Sequence, residues 1–223
     1  TELIYSQLVI ATGVTTDFSF VKDLKEYAYG FSNLDDLLKI KKLITKINHS
    51  FEYTNPLVIS GAGPTGVELA CKISDLLNNR VEIYMVEKGD KILSKSKSFN
   101  REKAIAAIAN RNIKIYLEHY VKSIDETFLE LFTTDIKINK SLKINYSGLI
   151  WTSGYKLTSM KLLNPFLDDK KRVQVNKYLQ SNDDQNIFFV GDVTFNENNL
   201  FPPPAQVAIQ QGFIVAKNII SLK

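Results

Sequence analysis

Leu57-Val58-Ile59-Ser60-Gly61-Ala62-Gly63-Pro64-Thr65-Gly66-Val67-Glu68 is the stretch that decides the fold of this chain. A short apolar run reads as a buried strand, three glycines at G-x-G-x-x-G spacing read as a tight turn, and an amphipathic helix is expected from about Thr65 to Leu77. A second strand, Val81 to Glu87, ends on an acid about twenty residues beyond Gly66. Each position has a chemical reason. Gly61 permits the turn, Gly63 lets backbone approach a pyrophosphate, and Gly66 lets helix and strand pack closely. Ala62, Pro64 and Thr65 complete a helix start whose free N–H groups and positive dipole end face the anion. Glu87 is expected to accept hydrogen bonds from the adenosine ribose of a nicotinamide dinucleotide. Its charge should repel the extra phosphate of NADPH and favour NADH, whereas Lys88 beside it would neutralise that phosphate.

Outward from this turn, apolar runs alternate with helical patterns, which makes the chain α/β. Leu8-Val9-Ile10 reads as a buried strand ending at Thr12-Gly13. From about Ser32 to Phe51, Leu34, Leu37, Leu38, Leu43, Ile44 and Ile47 recur at helical spacing, with Ser32 as N-cap and Asp35 at the third helical position. Phe99 to Asn110 reads as a further helix. Ile113 to Tyr116 and the alternating stretches around Val121, Leu129–Phe132 and Leu142–Ile144 read as a smaller β-meander. Leu149-Ile150-Trp151 returns to the main sheet and stops at Ser153-Gly154. A strand at Ile187–Val190 carries Gly191-Asp192 at its end, and Pro202-Pro203-Pro204 launches a helix to about Ile220. Leu8-Val9-Ile10-Ala11-Thr12-Gly13 also echoes Leu149-Ile150-Trp151-Thr152-Ser153-Gly154. If the first copy holds the equivalent place in a duplicated fold, its own glycine-rich turn lies before Thr1, so the chain reads as an N-terminally truncated fragment.

Composition narrows the chemistry. The 223 residues are 44% apolar with a net charge of +4, ordinary for a globular protein and without the basic clusters of a nucleic-acid binder. No run has the length of a membrane-spanning helix, and no signal peptide opens the chain. Cys71 is the single cysteine, which excludes an internal disulfide or a Cys-x-x-Cys pair. His49 and His119 form no metal site with it at any standard spacing, so no metal is expected. The chemistry must come from a bound organic cofactor.

Residues 8–13, 57–93, 149–154, 187–192 and 202–212 together resemble the type II NADH dehydrogenases, single-subunit flavin enzymes that reduce quinones. Gly66-Val67-Glu68-Leu69-Ala70-Cys71-Lys72-Ile73-Ser74-Asp75-Leu76-Leu77, with Val86-Glu87-Lys88-Gly89-Asp90-Lys91-Ile92-Leu93, is most similar to their cyanobacterial and plastid branch. The resemblance implies a Rossmann-like, three-layer ββα NAD(P)H-binding domain inserted into a partial FAD-binding Rossmann-like domain. Residues 1–18 would then be an FAD-domain segment, 19–54 a connecting helical segment, 55–155 the NAD(P)H-binding domain, and 156–223 a C-terminal FAD-domain segment with the quinone-site helix.

The same resemblance assigns residues. Ala11, Thr12 and Gly13 would lie at a chain crossing against FAD, Gly154 at the matching place, and Gly191 with Asp192 at the ribitol chain. In Pro202–Gly212, the helix start at Ala205 would face the flavin ring, and Gln206 with Gln210, four apart on one face, would hydrogen-bond quinone oxygens. Glu68 matches a glutamate near the nicotinamide–flavin contact, where positioning, proton supply and a buried structural carboxylate all stay open. The cofactors implied are FAD and NADH, with NADPH open. The partners implied are a quinone, no nucleic acid, the cytoplasmic face of a cytoplasmic or thylakoid membrane through peripheral association, and a homodimer. The rival readings are a flavin reductase serving a protein such as ferredoxin, and a nucleotide-binding module without catalysis.

Overall fold

The computed structural model describes residues 4–49, 55–135, 140–158, 172–195 and 205–221. They form two compact units, one made of 1–15 with 156–223 and one of 16–155. In chain order, β1 (Leu8–Ile10) belongs to the first unit, and β2 (Val14–Thr16) carries the chain into the second. There follow α1 (Leu24–Tyr27), β3 (Ala28–Tyr29), α2 (Leu34–His49), β4 (Leu57–Ser60), α3 (Pro64–Leu76), β5 (Ile83–Val86), α4 (Ser98–Ala109) and β6 (Ile113–Tyr116). The second unit continues through β7 (His119–Ile124), β8 (Phe128–Thr133), β9 (Ser141–Asn145) and β10 (Gly148–Trp151). The chain returns within β11 (Tyr155–Leu157) to β12 (Val173–Gln174), β13 (Ile187–Phe189), a 3₁₀ turn (Gly191–Val193), β14 (Thr194–Phe195) and α5 (Ala205–Ser221).

The unit of 16–155 is built on a parallel five-stranded sheet in the order β3-β10-β4-β5-β6. Every residue of β4 and β10 is buried, as expected of central parallel strands covered on both faces. Successive side chains leave opposite faces. Leu57, Ile59, Ile83, Met85 and Ile150 join α2 and α3 through Ile40, Leu43, Ile47, Val67, Ala70 and Ile73. Val58, Val86, Leu149 and Trp151 join the other face, against Val121, Leu129, Leu131 and Ile144 of the antiparallel sheet β7-β8-β9. Helices, parallel sheet and antiparallel sheet are thus the three layers that the resemblance implies. Each aliphatic side chain fully buried in these clusters contributes about 1.5–3 kcal/mol relative to exposure.

Three local expectations change. The strand Ile113–Tyr116 is not part of the meander: β6 pairs parallel with β5, because α4 provides the crossover and Ile113 and Ile115 pack on the helix-side core. The N-cap of α2 is Asn33 rather than Ser32, for Asn33 Oδ1 accepts from Asp36 N–H at 2.9 Å. Ser32 hydrogen-bonds the Asp36 carboxylate instead, through its N–H at 2.9 Å and its hydroxyl at 3.0 Å. Leu34, Leu37 and Leu38 are exposed, and the face of α2 that buries is Ile40, Leu43 and Ile47. It closes onto β10 at Gly148, where an added Cβ would stand 2.6 Å from Leu43 Cδ2.

In the unit of 1–15 with 156–223, β1 pairs parallel with β13, Ile10 opposite Phe189. Ile10, Val173, Val175, Phe189 and Val193 form one small core, and Phe188, Val190 and Val215 another that includes α5.

Candidate dinucleotide site

The glycine-rich turn is built as its residue types require. Gly61 sits at φ +103, and its N–H donates to Val86 O at 2.7 Å, so the turn leaves β4 alongside the end of β5. Gly66 faces back into the turn: a Cβ there would lie 1.9 Å from Gly61 O. Gly63 is the opposite case, with nothing within 4 Å of where its Cβ would be. It caps α3 in extended backbone with no side-chain cap, and Pro64 takes the first helical position. This helix end therefore presents backbone to open space, which is the cradle a pyrophosphate needs.

A cavity of about 490 Å³ opens over the turn, at the C-terminal ends of β4, β5 and β10. Strand order reverses between β4 and β10, and an open parallel sheet binds ligands at such a point. At the end of β5, Glu87 and Lys88 line the cavity with His119 and Tyr120 of β7. Glu87 is half-buried and already engaged: Oε2 accepts from Ala62 N–H and Oε1 from Gly89 N–H, both at 2.8 Å. It braces the turn as well as facing the cavity, and each oxygen keeps a second lone pair for a ribose hydroxyl. His119 Nδ1 lies 2.6 Å from Leu117 O. A carbonyl only accepts, so Nδ1 carries a proton and donates it there.

At the end of β10 the hydroxyls are engaged in part, with one proton of the serine pair left to donate. Thr152 Oγ1 donates to Ser60 O at 2.8 Å and to Gly61 O at 3.3 Å, and Ser60 Oγ shares a 2.6 Å hydrogen bond with Ser153 Oγ. Trp151 is buried with its indole N–H unpartnered among the described residues. A buried donor without an acceptor costs about 1–3 kcal/mol. The exposed ring of Phe20 leans on Trp151, centroids 6.4 Å apart, and covers Gly154, where a Cβ would meet Phe20 Cε2 at 2.4 Å. None of Phe20, His119, Tyr120 or Trp151 stands out as a site residue in the sequence, because no motif spacing links them.

Glu68, in the first turns of α3, is exposed, so it is not a buried structural carboxylate. Pro64 and Thr65 are exposed, while Ala62 is buried beneath the turn. Cys71 is partly covered, and burial pushes its thiol up from the ordinary value, away from the reactive thiolate.

In the other unit, the parallel pairing of β1 and β13 brings Ala11-Thr12-Gly13 and Gly191-Asp192 off adjacent strands at the same edge. Gly13 (φ +61) has nothing within 4 Å of its Cβ position, and Gly191 stands at φ +76. Gly191 N–H donates to Gln211 Oε1 at 2.7 Å, so the turn is pinned by α5 through Gln211, a residue with no predicted role. Burial raises the Asp192 carboxyl above its ordinary pKa. Ala205, Gln206 and Gln210 are exposed on α5. Pro202-Pro203-Pro204 lies outside the described residues. No group of His, Cys, Asp and Glu among the described residues could hold a metal ion.

The pyridine nucleotide-disulphide oxidoreductase family model matches residues 1–212. Among curated relatives, the chain is 32% identical to demethylphylloquinone reductase NdbB of Synechocystis sp., over 97% of this chain and 54% of that protein. It is 26% identical to the alternative NAD(P)H-ubiquinone oxidoreductase C1 of Arabidopsis thaliana, over 96% of this chain and 45% of that protein. The chain spans about half the length of the curated relatives it matches. Of solved structures, NDH2 of Plasmodium falciparum in complex with NADH superposes with a TM-score of 0.73 at 24% identity, over 87% of this chain and 45% of that one. Turn, sheet order and family match agree: the chain belongs to the pyridine nucleotide-disulphide oxidoreductase family.

Proposed function

We propose that this chain is the nicotinamide-binding part, with a portion of the flavin-binding part, of an FAD-dependent NAD(P)H:quinone oxidoreductase. The observation that carries the reading is the uncapped start of α3, with open space before Gly63, at the point where strand order reverses. Its curated relatives are quinone reductases, which favours a quinone over ferredoxin as acceptor.

In this reading residues 55–155 hold the dinucleotide. Gly61 to Gly66 would take its pyrophosphate on backbone N–H groups and Glu87 its adenosine ribose, favouring NADH. Lys88, which also lines the cavity, is the residue through which NADPH would be accommodated. Ala11, Thr12, Gly13, Gly191 and Asp192 would hold FAD, and Gly154 would lie against bound cofactor beyond β10; positive φ at Gly13 and Gly191 opens the FAD edge, and a half-buried carboxyl suits a ribitol hydroxyl. Bound FAD would accept a hydride from the nicotinamide and pass two electrons to the quinone. Glu68 would position the nicotinamide or relay a proton beside it, and Ala205 with Gln206 and Gln210 would face flavin and quinone. The exposed Phe213 shares their side of α5 and would extend an apolar contact for the quinone. Peripheral membrane association and a homodimer complete the proposal, since quinones partition into lipid. Among the described residues no helix is long and apolar enough to cross a membrane.

The test is an absorption spectrum of the purified chain with FAD, then NADH, then a quinone. A flavin band that bleaches with NADH and returns with quinone is the expected outcome. If NADH binds without any flavin band, the chain by itself is a nucleotide-binding module, a reading favoured by a site whose lining comes wholly from residues 16–155.

A further inference from the structure

We propose that Arg101 is a positioning residue for the dinucleotide site, acting through two peptides in series to hold the Gly63 N–H toward the bound pyrophosphate. The inference rests on the dinucleotide reading given above. Arg101, on α4, donates from Nε to Ile92 O at 3.1 Å. The N–H of that same peptide, on Leu93, donates to Ala62 O at 2.9 Å. The next N–H belongs to Gly63. Among the described residues no peptide bond is cis, and in a planar trans peptide the C=O and N–H point opposite ways. With its carbonyl held on Leu93, the Ala62–Gly63 peptide therefore turns its N–H away from Leu93, to the side where Gly63 lines the cavity. Every link donates in the same direction. A cation at one end polarises such a chain, and its far end is a stronger donor to an anion than a lone peptide would be.

The hold matters because the hinge is loose. Turning a peptide over changes ψ before it and φ after it, and Gly63 takes either sign of φ where other residues resist the positive one. Turned over, the Ala62–Gly63 peptide would set a carbonyl against the anion. The donor that prevents this is itself in an uncommon state. Leu93 stands at φ +47, left-handed backbone that leucine rarely adopts. Its side chain is buried in the helix-side core with Ile92. Its backbone is gripped from α4: besides Ile92 O, Arg101 reaches Ser96 O at 3.0 Å and Leu93 O at 3.4 Å through Nη2. Ser96 N–H closes the turn onto Leu93 O at 2.8 Å. One rigid guanidinium fork thus fixes the carbonyls on both sides of Leu93, which a flexible ammonium does not do.

The experiment titrates ADP-ribose, which carries the pyrophosphate, and adenosine, which does not, onto wild type, Arg101→Gln and Arg101→Lys. Wild type is expected to bind both, ADP-ribose the more tightly. Arg101→Gln removes the cation and the fork, and should weaken ADP-ribose about tenfold while leaving adenosine within about twofold. Arg101→Lys keeps the charge without the fork and should weaken ADP-ribose about threefold, again sparing adenosine. It carries the test if Arg101→Gln does not fold. The contrast between ligands is what a brace for the fold alone would not produce, since general loosening of the site reaches adenosine too. Equal loss of both ligands, loss of adenosine alone, or no loss of either would overturn the proposal. Wild type that binds adenosine as tightly as ADP-ribose overturns the pyrophosphate placement, and this proposal with it, while leaving an adenosine site. Wild type that binds neither overturns the dinucleotide reading as a whole.

Discussion

Gly66 and Gly63 stand three residues apart in one motif, yet a methyl group would mean different things at each. At Gly66 it would collide with Gly61 O at 1.9 Å, backbone that the turn holds in place. Gly66→Ala is expected to cost about 1–3 kcal/mol of stability and to abolish NADH binding, read by urea melts and ligand titration. Gly63→Ala meets no atom within 4 Å and sits in ordinary extended backbone. It should melt like wild type while binding NADH more weakly; unchanged affinity would place the pyrophosphate elsewhere. Asp192 makes a prediction in pH. Its carboxyl binds a proton more tightly folded than unfolded, because burial penalises the charge. The folded state therefore holds more protons from the ordinary carboxylate range upward, and stability falls as pH rises through that window. Asp192→Asn removes the fall, so the variant should melt above wild type at neutral pH and converge with it in acid.

The elements rest on one contact that periodicity does not reveal. At Gly148 the α2 helix closes onto β10, with Leu43 Cδ2 at 2.6 Å and Leu57 Cδ1 at 3.3 Å from an added Cβ. Gly148→Ala should push the helix outward, cost about 1–3 kcal/mol and speed amide exchange in α2 more than in α3. The longer elements were legible because their burial is strict: β4 and β10 are buried at every position, and α3 opens on the glycines that its packing requires. Two-residue strands such as β3, β12 and β14 carry no period to read and exist only through their partners. The glycine-rich turn with Glu87 was legible for a similar reason, since its spacing is itself the geometry. Phe20, His119 and Trp151 reach the cavity from three different elements or loops, so nothing local marks them. Gln211 was hidden otherwise, because one residue of helical phase separates it from Gln210 and decides which amide reaches Gly191.

On the scale of the molecule, the unit of 16–155 holds its own two cores and the whole lining of the cavity. Calorimetry is expected to show two transitions, of which NADH raises only one, by about 2.7 kcal/mol of added stability at a hundred times the dissociation constant. A single transition that shifts as a whole would mean that the units unfold together. The other unit is discontinuous: β1 comes from the first fifteen residues, and its partner β13 begins at Ile187. This sets an order for birth on the ribosome. With translation at roughly 5–20 residues per second, β1 emerges on the order of ten to thirty seconds before the strand it pairs with. Throughout that interval the segment of 16–155 can collapse to its finished form, while Leu8-Val9-Ile10 waits as an apolar strand whose β13 edge is unpaired. A newly made chain is therefore in need of a chaperone at β1 until β13 has emerged.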